Sequence, residues 1–192
     1  MCISGVNVCA GQTGTAPLVP LFKPAEQGTG NRGTGNRGTA TLYIFYTAHA
    51  LAAHRLVPDV CLVLDVTHAT DTPGIEKAKH GDVKLGGGPT LTHGTANHVE
   101  VVRRLQYVAD DAGIPIPHEA SSRATDTDTD AIYHVRDGIP CALVSLPMRY
   151  MHSVVETVDL EDVEKVIDLM TAFVRSVRQG DRVAGEREGR SA

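Results

Sequence analysis

At 192 residues the chain has the length of one ordinary domain, and a hydrophobic content of 42% is enough to fill one core. A net charge of -5 and a pI near 6.0 leave no basic stripe for phosphates, and 4% aromatics without Trp leave few stacking platforms, so a nucleic-acid partner is not expected. No apolar run approaches the roughly 18–20 residues that span a bilayer.

The N-terminus lacks a basic region followed by a long apolar one, so secretion is not indicated. Cys2, Cys9, Cys61 and Cys141 form no CxxC pair and no metal-ligand spacing. Cys61 and Cys141 fall inside apolar runs, where a thiol behaves as a small hydrophobe. The expectation is a reduced, cytoplasmic chain with no membrane partner.

Residues 1–40 differ from the rest. Gly28-Thr-Gly-Asn-Arg32 is repeated at once as Gly33-Thr-Gly-Asn-Arg37, a composition that cannot bury a face. It holds no GxxxxGK[ST] phosphate loop, and it reads as a low-complexity, disordered lead. Order is expected to begin with a strand at Thr41–Tyr46, then a short alanine-rich helix from Ala48 to Leu56. His49 and His54 on that helix are five apart, not the i, i+4 of a helical zinc pair, so packing or solvent-facing roles are expected. Val60 to Leu64 is an unbroken apolar run, the pattern of a strand buried on both faces.

From Asp71 to Pro89 glycine, proline and charge predict a loop, with a short strand at Asp82–Leu85. A helix follows, with Asn97 as its cap, Glu100 completing a capping box, an apolar line of Val99, Val102, Leu105 and Val108, and Gly113 as its stop. Ile114 to Ala120 reads as an edge strand. Asp126, Asp128 and Asp130 alternate like the start of a calcium loop, but Ala131 and Asp137 stand where an EF-hand needs Gly and Glu. One of these acids is expected to cap a helix from Ala131 to Asp137, ended by Gly138. A buried strand, Cys141–Leu146, lies between Pro140 and Pro147; Asp159 then caps a final helix running to about Val177, and Gln179 onward is a polar, disordered tail. Alternation of strands and helices predicts a three-layer α/β/α sandwich.

The functional signal is that two buried strands empty into polar residues. Val60–Leu64 runs into Asp65, His68 and Asp71; Cys141–Leu146 runs into Arg149, Tyr150, His152 and Glu156. In α/β sheets the C-terminal strand edge is where sites are built. Asp65 and His152 suit zinc, cobalt or manganese, with His68, Asp71 and Glu156 as further candidates. Equally, Asp65 could cap a turn and His152 could be a hydrogen-bonded histidine at a strand end.

Asp65-Val-Thr-His-Ala-Thr-Asp-Thr-Pro-Gly74, Lys84-Leu-Gly-Gly-Gly-Pro89 and Ser145-Leu-Pro-Met-Arg-Tyr-Met-His152 with Val155-Glu156 resemble the M42 family of metallo-aminopeptidases, collinearly from about Pro58 to Val177. The resemblance implies an α/β/α sandwich, residues 41–178 as part of its catalytic domain, and hydrolysis of peptides from the N-terminus by a water activated on two divalent metals. Asp65 matches a ligand of one metal and His152 a ligand of the other. Asp128 matches a Gly-Thr-Asp turn beside the site, although Asp126 replaces the Gly, and Arg149 and Tyr150 match residues at the substrate end.

Departures are as informative. The family's Gln-Glu-Glu-Val-Gly motif, which supplies the general base and one ligand, has no counterpart, since no Glu lies between Glu26 and Glu76. Met1 to Ala40 holds neither the His nor the bridging Asp, and the inserted domain used for homo-oligomer contacts is not found. The expectation is an inactive or truncated aminopeptidase with the N-terminal part of the fold missing or degenerate and metals at most partly occupied. The alternatives are a non-catalytic binding module and, from the cellulase label some members carry, a glycoside hydrolase using Asp65 and Glu156.

Overall fold

The computed structural model of the chain describes residues 6–10, 19–22, 49–56 and 58–177. The elements are β1 (Val6–Ala10), β2 (Val19–Phe22), α1 (49–56), β3 (Val60–His68), α2 (Lys77–His80), β4 (Thr90–Gly94), α3 (Val99–Ala112), β5 (His118–Ser121), α4 (Thr129–Ile132), β6 (Cys141–Arg149), β7 (Thr157–Val158) and α5 (Leu160–Ser176). Within one sheet the strand order is β2-β1-β3-β6-β4-β5, with β7 added to the end of β6.

The parallel pair β3–β6 is its centre, in register from Cys61↔Cys141 to His68↔Met148. Both strands are apolar on successive residues because both faces are covered. Leu62, Val144, Ala142 and Leu91 pack under α3 and α5, while Cys61, Val63, Cys141 and Leu143 pack under Ala53 of α1 and Ile132 of α4. This is the three-layer α/β/α sandwich expected from the alternation of elements, and both strand cysteines lie in its core. The sheet itself is mixed, since β4 runs antiparallel to β6 and parallel to β5. Leu105 of α3 is fully buried between the layers. Leu105→Ala is expected to cost about 2–5 kcal/mol, read as a lower urea midpoint with unchanged slope.

Several local expectations need correction. The cap of α3 is His98, without a side-chain hydrogen bond. Asn97 instead accepts the Leu143 N–H through Oδ1 at 2.7 Å. The reason is that β4 pairs with β6 only at Thr90↔Ser145 and Leu91↔Val144, so the next β6 amide needs a side-chain acceptor. Asp82–Leu85 is not a strand, although Val83 bonds to Thr70 through the backbone; α2 lies in the stretch read as loop, and β4 and β7 lie where no element was expected. The expected helix Ala131–Asp137 shrinks to the single turn of α4, and the expected edge strand shrinks to His118–Ser121. β6 runs on through Pro147 to Arg149; the missing N–H falls between the residues paired with β4 and those paired with β7.

Other expectations hold. Gly113 ends α3 in the left-handed conformation, φ 67°. Asp159 caps α5 by accepting the Glu161 N–H at 2.9 Å. Residues 1–40, expected to be a disordered lead, instead supply β1 and β2 to the sheet, with β1 antiparallel to β3. The strand expected at Thr41–Tyr46 and the tail from Gln179 lie outside the described residues. Among the described residues no helix is long and apolar enough to cross a membrane.

Candidate functional site at the end of β3 and β6

Because β3 and β6 are parallel, their C-terminal ends deliver Asp65–Asp71 and Arg149–Glu156 to the same edge of the sheet. Asp65 is half-buried and lies opposite Ser145 in register. Alternation from Cys61 and Val63 puts it on the face covered by α1 and α4. Its Oδ1 accepts the Val66 N–H at 2.8 Å. Thr90 lies across from Ser145 on the far side, and the hydroxyls of Ser145 and Thr90 are buried without a hydrogen-bond partner among the described residues. A polar row of Asp65, Ser145 and Thr90 therefore crosses three strands in an apolar sheet, an arrangement that costs stability unless something uses it.

Beyond the strand ends sit three imidazoles and a carboxylate. His68 packs edge-on against His80, with ring centroids 5.5 Å apart. Burial, and then the fields of His80 and His152, push the His68 pKa down, while Glu119 pulls it partly back. Glu119 accepts the hydroxyls of Thr67 and Thr92, each at 2.6 Å, and so clamps the β4–β5 ribbon to the end of β3. Sequence reasoning missed it, since nothing local distinguishes Glu119 from an ordinary charged residue on an edge strand.

At the end of β6, Tyr150 and His152 both take left-handed backbone, φ 57° and 65°. Non-glycine residues there cost of order 1 kcal/mol or more each, and such strain gathers at functional sites. Glu156 Oε1 accepts the His152 N–H at 2.8 Å and holds the turn. The His152 side chain is exposed, as is that of Tyr150.

Arg149 does not face solvent freely. Its guanidinium donates through Nε to Asp71 Oδ1 at 3.2 Å and through Nη2 to Asp71 Oδ2, a two-pronged pair. The Arg149 hydrogen bond is the main reason the Asp71 pKa is lowered. A depressed carboxylate pKa contributes stability that is present above the unfolded value, about 4, and is lost as pH falls through the lower folded value. The side chains are 37% and 25% exposed, so solvent screening limits the pair to less than about 1 kcal/mol. Asp71→Asn is expected to remove that contribution near neutral pH and to match the unmutated chain once the pH lies below both values, measured by urea unfolding at a series of pH values.

Asp128 is buried at the start of α4, with Oδ1 3.1 Å from Nδ1 of the equally buried His49 on α1. The two groups are in close contact without a hydrogen bond between them. His49 is thus a buried partner of Asp128, while His54 is exposed. The third acid, Asp130, accepts the Thr125 and Asp126 N–H groups and organises the preceding turn.

Among the described residues no group of three or more His, Cys, Asp or Glu side chains is placed to hold a metal ion. Asp65 and His152 alone supply one carboxylate and one imidazole, short of the three or four protein ligands of a zinc site and far short of a bridged pair. As they stand, these residues do not fit a two-metal centre.

Residues 44–169 match the family model described as M42 glutamyl aminopeptidase. The chain belongs to that family. It is 33% identical over 131 residues to a lysyl aminopeptidase of Pyrococcus furiosus, covering 68% of this chain and 37% of that protein. In structure it is similar to a TET aminopeptidase from a marine sediment thaumarchaeote, at TM-score 0.62 and 30% identity over 69% of this chain and 37% of the other. It is also similar to an aminopeptidase of Desulfurococcus kamchatkensis, at TM-score 0.67 and 29% identity over 76% and 42%. The chain spans a little over a third of the length of these curated M42 relatives, 37% in the first two. The M42 family is generally metal-dependent.

Proposed function

We propose that this chain carries the C-terminal half of an aminopeptidase site, able to receive a peptide N-terminus but without turnover by itself. The observation that carries the reading is the strained turn at Tyr150 and His152, with Arg149 held by Asp71 at the end of the central strand pair. In this reading Arg149 and Tyr150 meet the peptide and Asp128 braces the wall beside it. Asp65 and His152 are the ligands left to two separate divalent ions of the zinc, cobalt or manganese class. Two ligands do not complete a metal centre, and no Glu in 27–75 stands ready as the base, so no chemical step is assigned. The limits proposed are 41–178 for the family domain and 179–192 for the tail, with β1 and β2 joining its sheet from within residues 1–40, and the compartment proposed is the cytoplasm. A TET1 peptidase of Pyrococcus horikoshii can assemble into a tetrahedron or a large octahedral shell; self-assembly of this chain is a proposal on the same footing.

Purified chain supplied with zinc or cobalt and aminoacyl-p-nitroanilides is expected to show no turnover. Turnover that disappears in His152→Ala would overturn the inactivity. Binding of a short unblocked peptide, followed by calorimetry, is expected to weaken about tenfold in Arg149→Ala, the loss of one charge-assisted hydrogen bond. Equal binding by both proteins would remove Arg149 from the peptide site.

A further inference from the structure

The β4–β5 ribbon carries a second pair of imidazoles that the aminopeptidase reading does not use. His93 Nε2 and His118 Nδ1 lie 2.7 Å apart, with ring centroids 4.9 Å apart and planes tilted by 42°. Leu91 pairs with His118 and His93 with Ala120, so the two histidines are diagonal neighbours on one face of two parallel strands. A nitrogen-to-nitrogen hydrogen bond needs one ring as acceptor, so at least one imidazole of the pair is neutral. Burial and the His93 charge hold the His118 pKa down, and Asp110 of α3, whose Oδ1 accepts from Gln106, pulls it partly back. Two exposed imidazole nitrogens are thus held side by side across the ribbon, with the Asp110 carboxylate acting on the pair only through its field.

We infer that His93 and His118 form a two-imidazole binding site for a divalent transition cation of the copper or nickel class. Such cations bond imidazole nitrogen at about 2.0–2.1 Å, and two adjacent bonds at the right angle of a square-planar site place the nitrogens about 2.9 Å apart. The pair must open by about 0.2 Å and the two exposed rings must rotate so that both nitrogens turn from each other toward the ion. Water fills the remaining positions, and the field of Asp110 favours the cation. Imidazole donors select the copper end of the divalent series and disfavour magnesium and calcium. A bound ion would link β4 to β5, the outermost strand of the sheet, and so tie down an edge otherwise held by a short ladder. None of this depends on Asp65 or His152.

The test uses the whole chain, titrated with nickel chloride in a non-chelating buffer and followed by the imidazole NMR signals and the thermal midpoint. Expected are paramagnetic broadening strongest at His93 and His118 and a midpoint that rises with nickel. Affinity should fall by about tenfold or more in His93→Gln and in His118→Gln, and stay unchanged in His54→Ala. These are exposed positions, and broadening in the unmutated chain reports the site even if a variant is poorly folded. Broadening centred on His68, His80 and His152, equal affinity in the His93 and His118 variants, or no binding would each overturn the proposal.

Discussion

Asp162→Ala is expected to destabilise the fold by about 3–5 kcal/mol. Asp162 is fully buried on α5. Its two oxygens accept the N–H groups of Gly86 and Gly88 at 2.7 and 2.8 Å, and Lys165 lies 3.5 Å away. Lys165 also donates to the Gly86 carbonyl at 3.2 Å. The carboxylate thus replaces the missing strand partners of a glycine loop that passes directly beneath the helix. Alanine would leave two amides without acceptors and a lysine without its counter-charge, and each orphaned buried group costs about 1–3 kcal/mol. Asp162→Asn keeps one accepting oxygen and should cost less, and Lys165→Ala less again. Urea unfolding of the three variants checks the order; Asp162→Ala within about 1 kcal/mol of the unmutated chain would show that water replaces the carboxylate.

Gly94→Ala is expected to cost at least about 3 kcal/mol and to loosen the β4–β5 ribbon specifically. Gly94 has φ +150°, and a Cβ there would lie 1.6 Å from the Ser121 carbonyl oxygen of the neighbouring strand. No side-chain rotation relieves a clash with backbone, so the strands must part. Because Glu119 joins this ribbon to Thr67, parting them also disturbs the end of β3. The contrast is Gly113→Ala, where φ is +67° but nothing lies within 4 Å of the added methyl. That change should cost only about 1 kcal/mol. Thermal unfolding of both variants, with amide exchange at Thr92 and Glu119, separates strain at one residue from separation of two strands.

The elements that could be read from the sequence are those whose burial is apolar and whose signals are local. β3 and β6 announce themselves by unbroken aliphatic runs, and α5 by the Asp159 cap with an apolar stripe behind it. β4 escaped because Thr-Leu-Thr-His-Gly offers one aliphatic residue; its Thr90 and Thr92 are buried by the sheet rather than by their own hydrophobicity. Asn97 had every local mark of a helix cap, and a β6 amide distant in sequence claimed its side chain. At the candidate site, Asp65 and His152 were visible as polar residues at strand ends. Glu119 and Asp162 were not, because their roles come from Thr67 and from Gly86 and Gly88, far away along the chain. His49 was placed correctly on a helix, but its burial against Asp128 has no signature in spacing.

The register of the central pair sets how the chain must find its fold. Each residue of β3 meets a β6 partner roughly eighty positions later, with the ribbon, α3 and α4 synthesised in between. Closing so long a loop yields no ladder bond until most of the domain has already condensed. The transition state is therefore expected to contain β3 and β6 docked by α3 and α5, and refolding should be slow for a chain of this size. Until that moment two strands of aliphatic residues remain exposed in the nascent chain, each free to pair with a copy of itself. Yield on refolding should accordingly fall with protein concentration even where the finished domain is stable.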